Sequence, residues 1–203
     1  MSRIPLQPRT YTVEEYFQID EAAETRHEYV DGRIYDMAGG TDEHSQITHN
    51  LNGILWTRLR GKPCQGRDGN LRVRYGRKVR YGYPDALIVC GAPQFDPDAR
   101  SNTTLLNPTV LFEVLSKSTA AYDLGEKFGY YRDIDSLQEY VLIAQNRASV
   151  QVYRRGANGV WAIEPPVNGL TSVVPLRSAD IELPLAELYA GVELPPEEPE
   201  PIE

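Results

Sequence analysis

Asp85 and Glu113 are the residues of this chain whose surroundings most need a chemical explanation. Asp85 follows Pro84 and opens the apolar run ALIVC, while Glu113 sits between Phe112 and Val114 inside TVLFEVLS. Carboxylates rarely enter apolar strands unless they are paired or bind a metal. Two of them at strand ends facing one cleft suit a hard divalent cation. Mg²⁺ takes a few carboxylates and keeps several waters that a substrate can replace. The plain alternative is two unrelated charges, each satisfied by a basic neighbour, and the pattern alone leaves both readings open.

His44 precedes Ile47, Thr48 and Leu51 by three, four and seven residues, which places it over the inward face at a helix start. A lone histidine there is commonly a hydrogen-bonded structural residue; the functional alternative is a proton shuttle or phosphate contact. Lys127, in GEKFGYY, reads by itself as a solvated helix lysine paired with Glu126 or Asp123. The stretch Leu71–Tyr83 carries Arg72, Arg74, Arg77, Lys78 and Arg80 among tyrosines, a composition suited to DNA phosphates and stacked bases. It equally suits an exposed strand pair whose charges block edge aggregation. Tyr130, Tyr131 and Arg132 read as core and rim. The cysteines and histidines lack zinc-ligand spacing. There is no Walker-type loop and no nucleophile elbow.

These residues must be held by the elements around them. Thr12 and Glu15 form a capping-box pattern ahead of a short helix over 13–20. Residues 27–37 read as a hairpin turning at Asp31-Gly32. A helix over 42–60 is capped by Thr41 or Asp42 and ended by Gly61. Two or three strands occupy 63–90, and 91–107 is a loop. A strand follows over 109–116, a helix over 120–133, then strands 138–144 and 148–155. A hairpin around Val160–Ile163 and a short helix over 184–190 complete the pattern. The order implies an α/β sandwich with a mixed central sheet flanked by helices.

Length predicts one domain over 1–193, followed by an acidic Pro/Glu-rich tail, LPPEEPEPIE (194–203), expected to be disordered. A net charge of −8 argues against a protein that coats nucleic acid through a broad basic face, though not against one local site. No run approaches a membrane span, and no secretory leader is visible. Cys64 and Cys90 read as reduced thiols in a cytoplasmic protein.

HEYVDGRIYDMAGGTDEHSQITHNL, GYPDALIVC, TVLFEVLSKSTAAYDLGEKFGYY and LQEYVLIAQNRASVQVYRR together resemble the bacterial Uma2 (DUF820) family, which is similar to PD-(D/E)XK restriction-endonuclease-like nucleases. The resemblance implies that fold, with an added N-terminal helix and hairpin and C-terminal hairpins, and a Mg²⁺-dependent endonuclease acting on DNA. Mn²⁺ is the expected substitute ion. By resemblance, Asp85, Glu113 and the Val114 carbonyl hold the metal, Glu28 completes its shell or positions water, and His44 matches a family position. The superfamily's usual lysine slot, two residues after Glu113, holds Leu115. Lys127 is the preferred replacement and Lys117 its rival. Nucleases of this fold often act as symmetric dimers, so a homodimer is also implied. The contrasting reading is a nuclease fold that has lost turnover and binds nucleic acid or a protein partner.

Overall fold

The computed structural model describes residues 5–7, 9–37, 39–116 and 119–195. Lys117 and most of the acidic tail lie outside the described residues.

The N-terminal elements form where local chemistry dictates. Helix α1 (Val13–Ala22) starts at a capping box in which Thr12 and Glu15 satisfy each other's backbone N–H groups. Strands β1 (His27–Val30) and β2 (Arg33–Asp36) pair in the expected hairpin. Asp31 and Gly32 both take positive φ, 49° and 83°, as a type I′ turn requires. Helix α2 (Asp42–Arg58) is capped by the Thr41 hydroxyl, which accepts from the His44 N–H.

Four strands, rather than two or three, occupy the next segment: β3 (Cys64–Asp68), β4 (Arg72–Tyr75), β5 (Arg80–Gly82) and β6 (Ala86–Cys90). The following loop contains one short strand, β7 (Thr104–Leu105), and leads into β8 (Val110–Leu115). Helix α3 (120–131) begins as α-helix, widens to a π turn over Asp123–Lys127 and resumes over Phe128–Tyr131. Strands β9 (Glu139–Ala144), β10 (Ser149–Arg155), β11 (Trp161–Ile163) and β12 (Val167–Asn168) follow. One C-terminal hairpin, β13 (Val173–Leu176) with β14 (Ile181–Pro184), falls in a stretch to which the sequence reading assigns no strands; it precedes the last turn, α4 (Leu185–Leu188).

The central sheet runs β11-β10-β9-β8-β6-β3, with β12 beside β10. It is mixed, because β8 and β9 run parallel while their outer neighbours pair antiparallel. A second sheet, β2-β1-β5-β4-β7, carries Glu28. Strand alternation divides the core in two. Ala86, Ile88, Val110, Phe112 and Val114 pack against Ile47, Leu51, Ile54 and Leu55 of α2 and against the β13–β14 hairpin. Leu87, Val89, Leu111 and Leu142 face Tyr131, Ile134 and the second sheet. Each such fully buried aliphatic contributes about 1.5–3 kcal/mol. Glu113 shares the parity of Leu111, so it enters the side of the sheet that α3 covers.

The cysteines require a correction. Cys64 and Cys90 are not reduced thiols but a disulfide. Antiparallel pairing of β3 with β6 puts them directly opposite one another, a register that their 26-residue separation conceals in the sequence. Among the described residues, no helix is long and apolar enough to cross a membrane.

Candidate active site

Asp85 stands just before β6, where its own N–H donates to the Phe112 carbonyl at 3.0 Å. Its Oδ2 accepts from the Val114 N–H at 2.6 Å. A strand residue directs its N–H and C=O toward the same neighbour. The Val114 carbonyl therefore also faces the β6 side, beyond the point where β6 begins. Asp85 and that carbonyl lie together at the open end of the sheet. His44, at the start of α2, places Nε2 3.3 Å from Asp85 Oδ2. The hydrogen bond to Asp85 raises the His44 pKa above its ordinary value, against the effect of burial, and so favours the charged imidazolium.

Glu113 is 5% exposed and Lys127 4%. Lys127 Nζ lies 2.6 Å from Glu113 Oε1, 3.4 Å from Glu28 Oε1 and 3.6 Å from Asp123 Oδ1. The Tyr131 hydroxyl donates to Glu113 Oε1 at 3.1 Å. Burial pushes the Glu113 carboxyl well above the usual range, opposed by Lys127 and reinforced by the charges of Asp123 and Asp85. Burial works against the Lys127 charge, but the facing acidic groups, Glu113 foremost, outweigh it and hold the lysine well above its ordinary pKa. Burial also raises Asp123, with Lys127 pulling the other way. The arrangement is one ammonium caged by carboxylates, reached from a cleft of about 1700 Å³ that Glu28, Asp85, Glu113 and Lys127 all line.

Local sequence explains how each group arrives there. Glu28 reaches inward from β1 past Gly82, where an added Cβ would stand 3.1 Å from Glu28 Oε1. Asp123 and Lys127 both fall within the π turn, an irregularity frequent at functional sites. The structure thus brings together Asp85, Glu113, Glu28, Lys127, His44 and the Val114 backbone. Lys127 is not the solvated helix lysine that its sequence neighbourhood suggested. Asp123 and Tyr131 were not assigned to the site; their four-residue steps on either side of Lys127 were the available signal.

The basic stretch is placed elsewhere, and none of its five cations lines the cleft. Arg72 is 2% exposed, pairs with Asp20 at 2.7 Å and packs over the ring of Phe17. Arg80 is buried against Asp31 at 2.8 Å. Neither is free to meet DNA, because both guanidiniums are buried against acidic partners inside the protein. Arg74 pairs with Asp96, whereas Arg77 and Lys78 are exposed at the β4–β5 turn. Arg72→Met is expected to leave the buried Asp20 carboxylate with the Tyr83 hydroxyl and the His27 N–H but without its guanidinium partner, and to cost about 3–5 kcal/mol, read as a fall in the urea midpoint. An unchanged midpoint would mean that this ion pair does not hold α1 on the sheet.

Comparison with known proteins agrees with this architecture. The family model Uma2, described as "Putative restriction endonuclease", matches residues 13–186. An uncharacterized Synechocystis protein, slr1290, is 35% identical over 151 residues, covering 74% of this chain and 77% of its own. A second, sll1609, is 32% identical over 152 residues, covering 75% and 85%. A crystal structure of a protein from Anabaena variabilis, described as a "putative nuclease belonging to DUF820", superposes with a TM-score of 0.67. It is 18% identical and is covered over 98% of its length by 90% of this chain. That likeness shows the shared fold.

Proposed function

Because this chain belongs to the Uma2 family, we propose that it is a divalent-metal-dependent endonuclease that hydrolyses phosphodiester bonds in DNA. The observation that carries the reading is the buried Lys127–Glu113 contact opening on the cleft beside Asp85. A purely structural ion pair has no need to face a cleft with further carboxylates around it.

The donor set fits a hard cation. Asp85, Glu113 and the Val114 carbonyl would hold Mg²⁺, or Mn²⁺ in its place, with Glu28 available to complete the shell. Among the described residues, no three His, Cys, Asp or Glu side chains form a ready metal cluster. A site of two carboxylates, one carbonyl and several waters does not require one. When bound, such an ion lowers the pKa of water and polarises the phosphate.

The remaining work falls to the chain itself. Lys127 keeps its proton and offers an ammonium to the charge that develops on the phosphate. Asp123 and Tyr131 fix Lys127 and Glu113 in place. His44 orients Asp85 and, when charged, presents a donor to phosphate or leaving oxygen. A symmetric dimer would present two such centres to the two strands of a duplex.

The test is incubation of the purified chain with supercoiled plasmid and with circular single-stranded DNA in Mg²⁺, Mn²⁺ or chelator. Open-circular or linear product with either metal, and none in chelator, is expected. Retained DNA binding without product in either metal would favour the binding module that has lost turnover.

A further inference from the structure

The cleft extends well past the carboxylates, along α2 and onto β3. Its α2 wall carries Ser45, Thr48, His49, Asn52 and Trp56, which recur at three- and four-residue steps and so form one stripe. Ile47, Leu51 and Ile54 point the other way, into the core. Trp56 is 73% exposed and forgoes the burial that an indole ordinarily gains. Arg60 sets its guanidinium carbon 5.9 Å from the Trp56 ring centroid and is itself exposed. Its neighbours are otherwise engaged: Arg58 with Glu187 and Lys62 with Asp180.

We propose that this stripe is a track for single-stranded nucleic acid, in which Trp56 stacks on an unpaired base and Arg60 meets the adjoining phosphate. The proposal rests on the nuclease reading and names the form of its substrate. A duplex hides its base faces in the stack and offers a wall only phosphates and edges, whereas a free base has a π-face for an indole. Charge points the same way. Away from the carboxylate cage the cleft sets Glu24, Asp36 and Asp68 beside Arg26 and Arg67, so its walls give two rows of phosphate no strong net attraction and stacking has to supply much of the affinity.

The spacing sets a length requirement. His44, beside Asp85, and Trp56 are twelve residues apart on α2, roughly 18 Å at about 1.5 Å per residue. That spans about five stacked nucleotides at roughly 3.4 Å each. Contact with Trp56 therefore requires a strand that continues about that far from the scissile phosphate.

The chain has two tryptophans, so Trp161→Phe leaves Trp56 as the sole indole. That variant, held in chelator to prevent cleavage, is titrated with oligodeoxyadenylate, a strand that stacks on itself, of about four and about twelve nucleotides, and with a duplex of the longer length. The longer strand is expected to quench the emission, and the shorter strand and the duplex to do so weakly. In the otherwise wild-type chain, Trp56→Ala is expected to weaken binding of the longer strand roughly tenfold. A duplex that quenches as strongly as the single strand, or a Trp56→Ala chain that binds the strand as tightly as wild type, would overturn the proposal. The nuclease reading fails separately. A chain that binds strand through Trp56 yet cleaves neither circular single-stranded DNA nor plasmid in Mn²⁺ keeps the track and loses the catalysis, whereas cleavage with Trp56-independent binding does the reverse.

Discussion

Lys127→Met is expected to abolish most cleavage and also to destabilise the fold. The ammonium lies 2.6, 3.4 and 3.6 Å from Glu113, Glu28 and Asp123. Methionine fills similar volume but removes the charge that those three largely buried carboxyls share at the foot of the cleft. Breaking a buried pair from one side costs about 3–5 kcal/mol. Loss of one preorganised cation from the reacting phosphate costs about 10²–10³-fold in turnover. Urea unfolding and plasmid nicking below the unfolding transition report the two effects separately. Wild-type stability with wild-type turnover would remove Lys127 from the site and return attention to Lys117.

Glu113→Gln is expected to separate those effects, with turnover lost and the fold kept. The amide is nearly isosteric, its oxygen can still accept from Tyr131, and Lys127 retains Glu28 and Asp123. The stability change should stay near 1 kcal/mol, the scale of one exchanged hydrogen bond. Turnover should fall by about 10³-fold, because several kcal/mol of charge stabilisation go with the lost ligand and each ~1.4 kcal/mol is tenfold. The same pair of measurements decides it. A variant that nicks normally would make Glu113 a structural partner of Lys127 and no more.

Features governed by near neighbours in sequence were legible, and those governed by distant partners were not. The Thr12–Glu15 cap, the Asp31-Gly32 turn and the inward face of α2 depend on contacts within a few residues. Asp85 and Glu113 stood out because a charge inside an apolar strand contradicts its surroundings. Arg72 gave no such warning. An arginine in an alternating basic strand reads alike whether it faces water or a buried Asp20 that lies 52 residues earlier. The Cys64–Cys90 bridge depends on the register of β3 against β6, which no local pattern encodes. The β13–β14 hairpin lacks a marked turn dipeptide: its tight corner is made by Asp180, a non-glycine residue at φ 51°. Asp123 escaped because its position relative to Lys127 depends on a π turn over Asp123–Lys127, which the spacing of residues did not announce. The lysine assignment was half legible. The four-residue step to Asp123 indicated an ion pair, but only the covering sheets reveal that the pair is buried.

The most direct measurement is a calorimetric titration of Mn²⁺ into the intact chain and into Asp85→Asn. A metal-dependent centre built on Asp85 and Glu113 predicts a saturable site in the wild type that is absent or much weakened in a variant that still folds. No binding to the wild type, or equal binding to both proteins, would contradict it.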